Sequence, residues 1–208
     1  MPSPFVTLSC ASIFVSRLDT MADALITKRL AALTDADARA SLSKLLGTVA
    51  IANAKLAYQK YLTRCRTAAW QRLAEQGAHP QRLLWASTST KNPAYSDVRY
   101  VEELIGRDTV NTVPPETLAA FRDHGKPRAS LEEGVDDARE VISSLERAGI
   151  SLNDVTDTLV NDGVRLFSEA FDTLLAAVDP GRRSGIRPLL GRQRCALPHD
   201  PPAKVTRR

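Results

Sequence analysis

Apolar residues along this chain change period several times, and each change marks an element. Cys10-Ala-Ser-Ile-Phe-Val-Ser-Arg17, Arg82-Leu-Leu-Trp-Ala-Ser-Thr-Ser-Thr-Lys91 and Asp108-Thr-Val-Asn-Thr-Val-Pro114 are compact apolar runs ending in hydroxyl or charged residues. Each gives way to apolar positions three and four apart, the period of a helix with one buried face. Met21, Leu25, Leu30 and Leu33 predict a short helix from Thr20 to Leu33. From Asp35 a long helical stretch carries Leu42, Leu45, Val49, Tyr58, Leu62 and Leu73, and stops at Gly77-Ala-His-Pro80. Tyr58, Tyr61 and Trp70 read as packing against a sheet, because large aromatics dominate core burial.

Arg82-Leu-Leu-Trp-Ala-Ser87 is continuous enough to predict a strand buried on both faces, with Lys91–Ser96 as the loop above it. Val98, Val101 and Ile105 predict a helix from Asp97 to Ile105, and Thr109–Val113 a strand rich in β-branched residues. Proline opens the next helix, which runs to Asp123. Ser130 with Glu133 forms a capping-box pattern ahead of Val135, Ala138, Val141, Ile142 and Leu145. Two more helices follow, one from Ser151 and one carrying Val164, Phe167, Phe171, Leu174 and Val178. Beyond Pro180 the periodicity is lost to proline, glycine and arginine, which predicts a disordered tail. The expected division is therefore a folded body over 1–179 and a tail over 180–208.

Strands alternating with helices define an α/β chain with a parallel sheet. A closed barrel of such units needs eight strands, so three imply a partial (β/α)8 barrel with a large helical layer. In parallel sheets chemistry gathers at the carboxyl ends of the strands. Ser12, Ser16, Arg17 and Lys91 stand there.

Composition narrows the class. With 43% hydrophobic and 25% charged residues the chain is globular. No run approaches the roughly 20 apolar residues that cross a bilayer. Met1-Pro-Ser-Pro-Phe5 lacks a signal peptide's cationic head and apolar core, so a cytoplasmic location is expected. Cys10, Cys65 and Cys195 are widely separated, as are His79, His124 and His199, and neither set has metal-ligand spacing. The net charge of +4 resides in residues 180–208, where eight lysines and arginines face Asp200 alone. The body is mildly acidic, which does not describe a nucleic-acid-binding domain.

An arginine just past a strand, with a serine five residues earlier, can clamp a phosphate through its bidentate fork and the hydroxyl. The same arginine can instead sit in a surface ion pair. Lys91 has three readings: a second phosphate ligand, an amine forming a Schiff base with a carbonyl, or a plain surface lysine. The Schiff-base role demands a desolvated pocket, whereas Thr90, Asn92 and Pro93 suggest a wet loop.

Six blocks resemble transaldolase. They are Ala11-Ser-Ile-Phe-Val-Ser-Arg-Leu-Asp19, Ala50-Ile-Ala-Asn-Ala-Lys-Leu-Ala-Tyr58, Trp85-Ala-Ser-Thr-Ser-Thr-Lys-Asn-Pro-Ala-Tyr95, Tyr100-Val-Glu-Glu-Leu-Ile105, Asp108-Thr-Val-Asn-Thr-Val-Pro-Pro-Glu-Thr-Leu118 and Asp162-Gly-Val-Arg-Leu-Phe167. The likeness is to the bacterial subclass with a long C-terminal half, some members of which are fused to glucose-6-phosphate isomerase. Leu174-Leu-Ala-Ala-Val178 resembles that junction.

The resemblance implies a (β/α)8 barrel of the pentose phosphate pathway. Such an enzyme moves a dihydroxyacetone unit from a ketose phosphate to an aldose phosphate on a lysine Schiff base, without metal or organic cofactor. It implies substrate roles for Ser12, Phe14 and Arg17, with Ser16 in the same pocket. Where many members carry a second phosphate arginine this chain reads Asp108-Thr109, and Lys91 is the candidate substitute.

The family's Schiff-base lysine and acid–base carboxylates lie upstream of the serine at position 12. No catalytic residue is therefore expected here. The chain is expected to cover strands six to eight, to be poorly stable alone, and to pair with a separate N-terminal half or with itself. The competing reading is a non-catalytic fragment or accessory chain.

Overall fold

The computed structural model describes residues 9–183, with side chains through 178. Most of the expected tail, from residue 184 onward, lies outside the described residues. Three parallel strands, β1 (Cys10–Phe14), β2 (Arg82–Ala86) and β3 (Thr109–Asn111), form one sheet in the order β1-β2-β3. Ser12 stands opposite Leu84, Phe14 opposite Ala86, and Leu84 opposite Val110. Strand alternation sends Ile13, Leu83 and Trp85 into the core with the helices. The same alternation leaves Cys10, Ser12 and Phe14 on an exposed face. β2 is accordingly not buried on both faces: Arg82, Leu83 and Leu84 are half-buried, and only Trp85 and Ala86 are enclosed.

α1 (Val15–Ala32) starts five residues before its apolar period becomes visible, with no loop after β1. The Ser16 N–H donates to Ser87 O at 3.0 Å, so cross-strand hydrogen bonding runs directly into the first helical turn. Val15, Leu18, Ala22 and Ile26 form its buried stripe. The long stretch expected over 35–77 is three helices, α2 (Ala36–Ser43), α3 (Val49–Cys65) and α4 (Ala68–Glu75). Asp35 caps α2 by accepting from Ala38 N at 2.7 Å, and Thr67 caps α4 by accepting from Trp70 N at 3.3 Å.

Gly47 breaks the first junction. Its φ of +68° lies in the left-handed region, and a Cβ there would come within 2.6 Å of the Tyr95 ring.

α3 is the centre of the helical layer, packed against α1 and against α7 (Val135–Arg147). Val49, Ala54 and Tyr58 are almost wholly buried in it, each large apolar side chain contributing roughly 1.5–3 kcal/mol on burial. Tyr58 stacks on Tyr61 at 5.9 Å and donates its hydroxyl to Arg107 O at 3.1 Å.

The remaining elements are α5 (Arg99–Glu103), α6 (Pro115–His124), a 3₁₀ turn (Ser130–Glu132) and α8 (Leu152–Arg183). The capping box expected at Ser130 does not form. Ser130 is fully buried in the 3₁₀ turn, where its hydroxyl donates to Glu102 O and accepts from Ile105 N. α7 instead begins after Gly134 without a side-chain cap. The two last predicted helices are one, α8, and the chain divides into two compact units between Asp162 and Gly163, within that helix.

Candidate functional site

Because side chains i and i+2 share a strand face, Ser12 and Phe14 point together from the exposed side of β1. Arg17, in the first turn of α1, lays its guanidinium over the Phe14 ring, 4.6 Å from the centroid. That is a cation–π contact, and it keeps the fork at the carboxyl end of the strand. Neither the Arg17 guanidinium nor the Ser12 hydroxyl has a hydrogen-bond or ion-pair partner among the described residues. The surface ion pair weighed for Arg17 is therefore not formed there. Phe14 is 41% exposed, an unusual state for an aromatic at a strand end.

Ser16 is elsewhere. It is 2% exposed, and its carbonyl accepts the Thr20 hydroxyl at 2.7 Å. Lys91 lies on the loop after β2, donating to Ser89 Oγ at 2.9 Å. It lines a small cavity of about 170 Å³ together with Asp19, Asp23, Asn92, Tyr95 and Tyr100. The structure thus brings Ser12, Phe14 and Arg17 together and gives Lys91 a different cavity.

That cavity is framed by a carboxylate–phenol network that sequence reasoning missed. Asp19 accepts from Ala50 N at 2.8 Å and from the Tyr100 hydroxyl at 2.8 Å. One turn on, Asp23 accepts from Gly47 N at 2.8 Å and from the Tyr95 hydroxyl at 2.7 Å. Two carboxylates of α1 thus bind the amino-terminal end of α3, where helix N–H groups lack partners of their own. Burial pushes the Asp19 carboxyl above its ordinary range, against the lowering effect of its two hydrogen bonds. Burial, followed by the bond to Asp23, pushes the Tyr95 phenol up to about 12.

Thr88 was likewise missed. It is fully buried and donates to Asn111 Oδ1 at 2.8 Å, tying the carboxyl ends of β2 and β3 together. Ser87 beside it adopts φ 55°, the left-handed region. An asparagine inside a β-branched run was the available signal, since asparagine is depleted in strands.

Lys55 provides a second organising point in the helical layer. Its ammonium donates to Glu103 at 3.2 Å and to Glu133 O at 3.0 Å, and Arg128 closes on Glu103 and Glu133. Burial raises the Glu103 carboxyl, but the bonds from Arg128 and Lys55 outweigh it and hold the group below its usual range.

Three parallel strands alternating with helices, with a cation at one strand's carboxyl end that is unpaired among the described residues, define an α/β protein. The chain belongs to the transaldolase/fructose-6-phosphate aldolase family, whose model matches residues 6–178. It is 44% identical over 173 residues to a transaldolase of Trichodesmium erythraeum, covering 82% of this chain and 46% of that protein. It is 48% identical over 168 residues to a transaldolase of Thiobacillus denitrificans, covering 81% of this chain and 45% of that one. A transaldolase 2 of Nostoc is 47% identical over 174 residues, with shares of 82% and 46%. The chain spans about half the length of the curated relatives it matches. Among the described residues no helix is long and apolar enough to cross a membrane.

Proposed function

We propose that Ser12, Phe14 and Arg17 form the phosphate-gripping rim of a cytoplasmic transaldolase of the pentose phosphate pathway. A dihydroxyacetone unit would pass between ketose and aldose phosphates on a lysine Schiff base. In this reading the three strands are the sixth to eighth of a (β/α)8 barrel of the fusion-type subclass. Lysine and acid–base carboxylates belong to the part of the family fold that these 208 residues do not span.

The observation that carries the reading is the unpaired Arg17 fork held over Phe14 beside the unpaired Ser12 hydroxyl. Lys91, on the next strand's loop, is a second phosphate-binding cation set apart from the rim in its own cavity, in place of an arginine at Asp108-Thr109. The exposed face of β1 supports a pairing partner, either an N-terminal half or a second copy.

The share of each relative that is matched, 46% or less in all three, favours a second reading. There the chain is an accessory piece that binds sugar phosphate, or complements another polypeptide, without catalysing transfer.

Titration of the chain with fructose 6-phosphate, with and without borohydride, tests both readings. Saturable binding that Arg17→Gln abolishes supports the rim. Reductive labelling of a lysine in this chain would put the nucleophile here and overturn its assignment to the unspanned part, whereas binding without labelling fits both readings. Binding indifferent to Arg17→Gln overturns the rim in either form.

A further inference from the structure

We propose a second anion site, for a small organic phosphate, between the carboxyl ends of α1 and α7. A cavity of about 450 Å³ opens there, lined by Arg29 and Arg147, by Ser41 and Ser144, and by Leu42 and Leu45 among others. Its lining holds two guanidinium groups and no carboxylate. It lies about 18 Å along α1 from Arg17 at the usual rise per residue, so it is separate from the rim.

Arginines near helix carboxyl ends ordinarily serve the last carbonyls. Here those carbonyls are already served. At the end of α1, Arg39 donates to Leu30 O and to Leu33 O. At the end of α7 the backbone closes on itself, Ile150 N donating to Leu145 O at 3.1 Å and Gly149 N to Glu146 O at 2.8 Å. Gly149 takes φ +77° to make that turn, and a Cβ on it would stand 3.4 Å from Arg29 Nη2. The Arg29 guanidinium therefore lies over the closed end of α7, with no hydrogen bond or ion pair among the described residues. Arg147 is aimed by its bonds to Glu140 and to Ser144 Oγ.

A ligand must suit this chemistry. The Arg29 fork and the Ser41 hydroxyl match the oxygens of a phosphate, with Arg147 beside them as a second cation already paired to Glu140, which also takes the Ser144 hydroxyl proton. The negative ends of two helices oppose any anion, so the ligand is held only by direct contact with the guanidinium forks, whose geometry suits phosphate oxygens. The buried Leu42 and Leu45 supply an apolar wall for the organic part of the ligand.

Phenyl phosphate combines both features and is the probe. Calorimetric titration is made in an Arg17→Gln background, so that the rim contributes no cation. Saturable binding is expected, weakened about tenfold by Arg29→Gln and weaker for inorganic phosphate than for phenyl phosphate. Arg29→Gln breaks no internal contact, so its thermal midpoint should match the parent. Unchanged affinity in both Arg29→Gln and Arg147→Gln overturns the site. So does an absence of saturable binding up to about 10 mM phenyl phosphate.

Discussion

Arg17 has no hydrogen-bond or ion-pair partner among the described residues, while several organising charges of the fold are matched internally. Asp19, Asp23, Lys55 and Glu103 each hold two partners at hydrogen-bond distance. Replacing Arg17 by glutamine should therefore lower stability by no more than about 0.5–1 kcal/mol, the worth of its contact with Phe14, and weaken sugar-phosphate binding tenfold or more. A charge-assisted bond is worth roughly 1.5–3 kcal/mol, and about 1.4 kcal/mol is tenfold in affinity.

The two shifted carboxyls make opposite predictions about pH. Asp19 titrates above its ordinary 3.8 in the fold, so the folded state holds that proton more tightly than the unfolded chain. Its stabilising share is full below the ordinary range and is lost as pH rises through the folded value. Glu103 sits below its ordinary 4.5, so its share is present above that range and is lost as pH falls through the folded value. Urea unfolding across acid to neutral pH should show Asp19→Asn flattening the loss on the rising side. Glu103→Gln should cost stability at neutral pH and little in acid. Parallel profiles for wild type and both variants would refute the assignment.

At the scale of elements, strands were legible because the apolar runs are too short for a helix and carry flanking turn residues and β-branched or aromatic side chains, which settle what periodicity alone leaves open. The junction between α2 and α3 was not. Residues 44–48 turn with bonds from Leu45 N to Leu42 O and from Thr48 N to Leu45 O, a near-helical spacing that leaves the apolar period unbroken. Only Gly47 signals the break, and its necessity depends on Tyr95, 48 positions away in sequence. Gly47→Ala should destabilise the fold by about 2–4 kcal/mol, from the left-handed backbone and the collision with that ring. Ser130 shows the reverse error: a local capping pattern was present, but burial against Glu102 and Ile105 won. Ser130→Ala strands one carbonyl and one N–H and should cost about 1–3 kcal/mol, read from the urea midpoint at constant slope.

At the scale of the whole molecule, one face of the sheet is packed and the other is exposed at β1. Ile13, Leu83 and Trp85 join the helical core, whereas Cys10, Ser12 and Phe14 face outward. The resemblance named Ser12, Phe14 and Arg17, which the structure places at one strand end, but the separation of Lys91 from Arg17 was not legible. Nor were the Asp19–Tyr100 and Asp23–Tyr95 bonds, because they join segments more than 70 residues apart and leave no local trace. An exposed β1 also predicts a reactive thiol: Cys10 should be labelled rapidly by a thiol reagent, and slowly once a pairing partner covers that face. Equal rates with and without such a partner would argue against pairing through β1.

Whether the rim meets a sugar phosphate is most directly read from backbone amide shifts during titration with fructose 6-phosphate. The account predicts saturable shifts at Ser12, Phe14 and Arg17 that vanish in Arg17→Gln, whereas any shifts at the carboxyl end of α7 are the same in both proteins. Shifts absent from β1 and the first turn of α1, or persisting in Arg17→Gln, would contradict it.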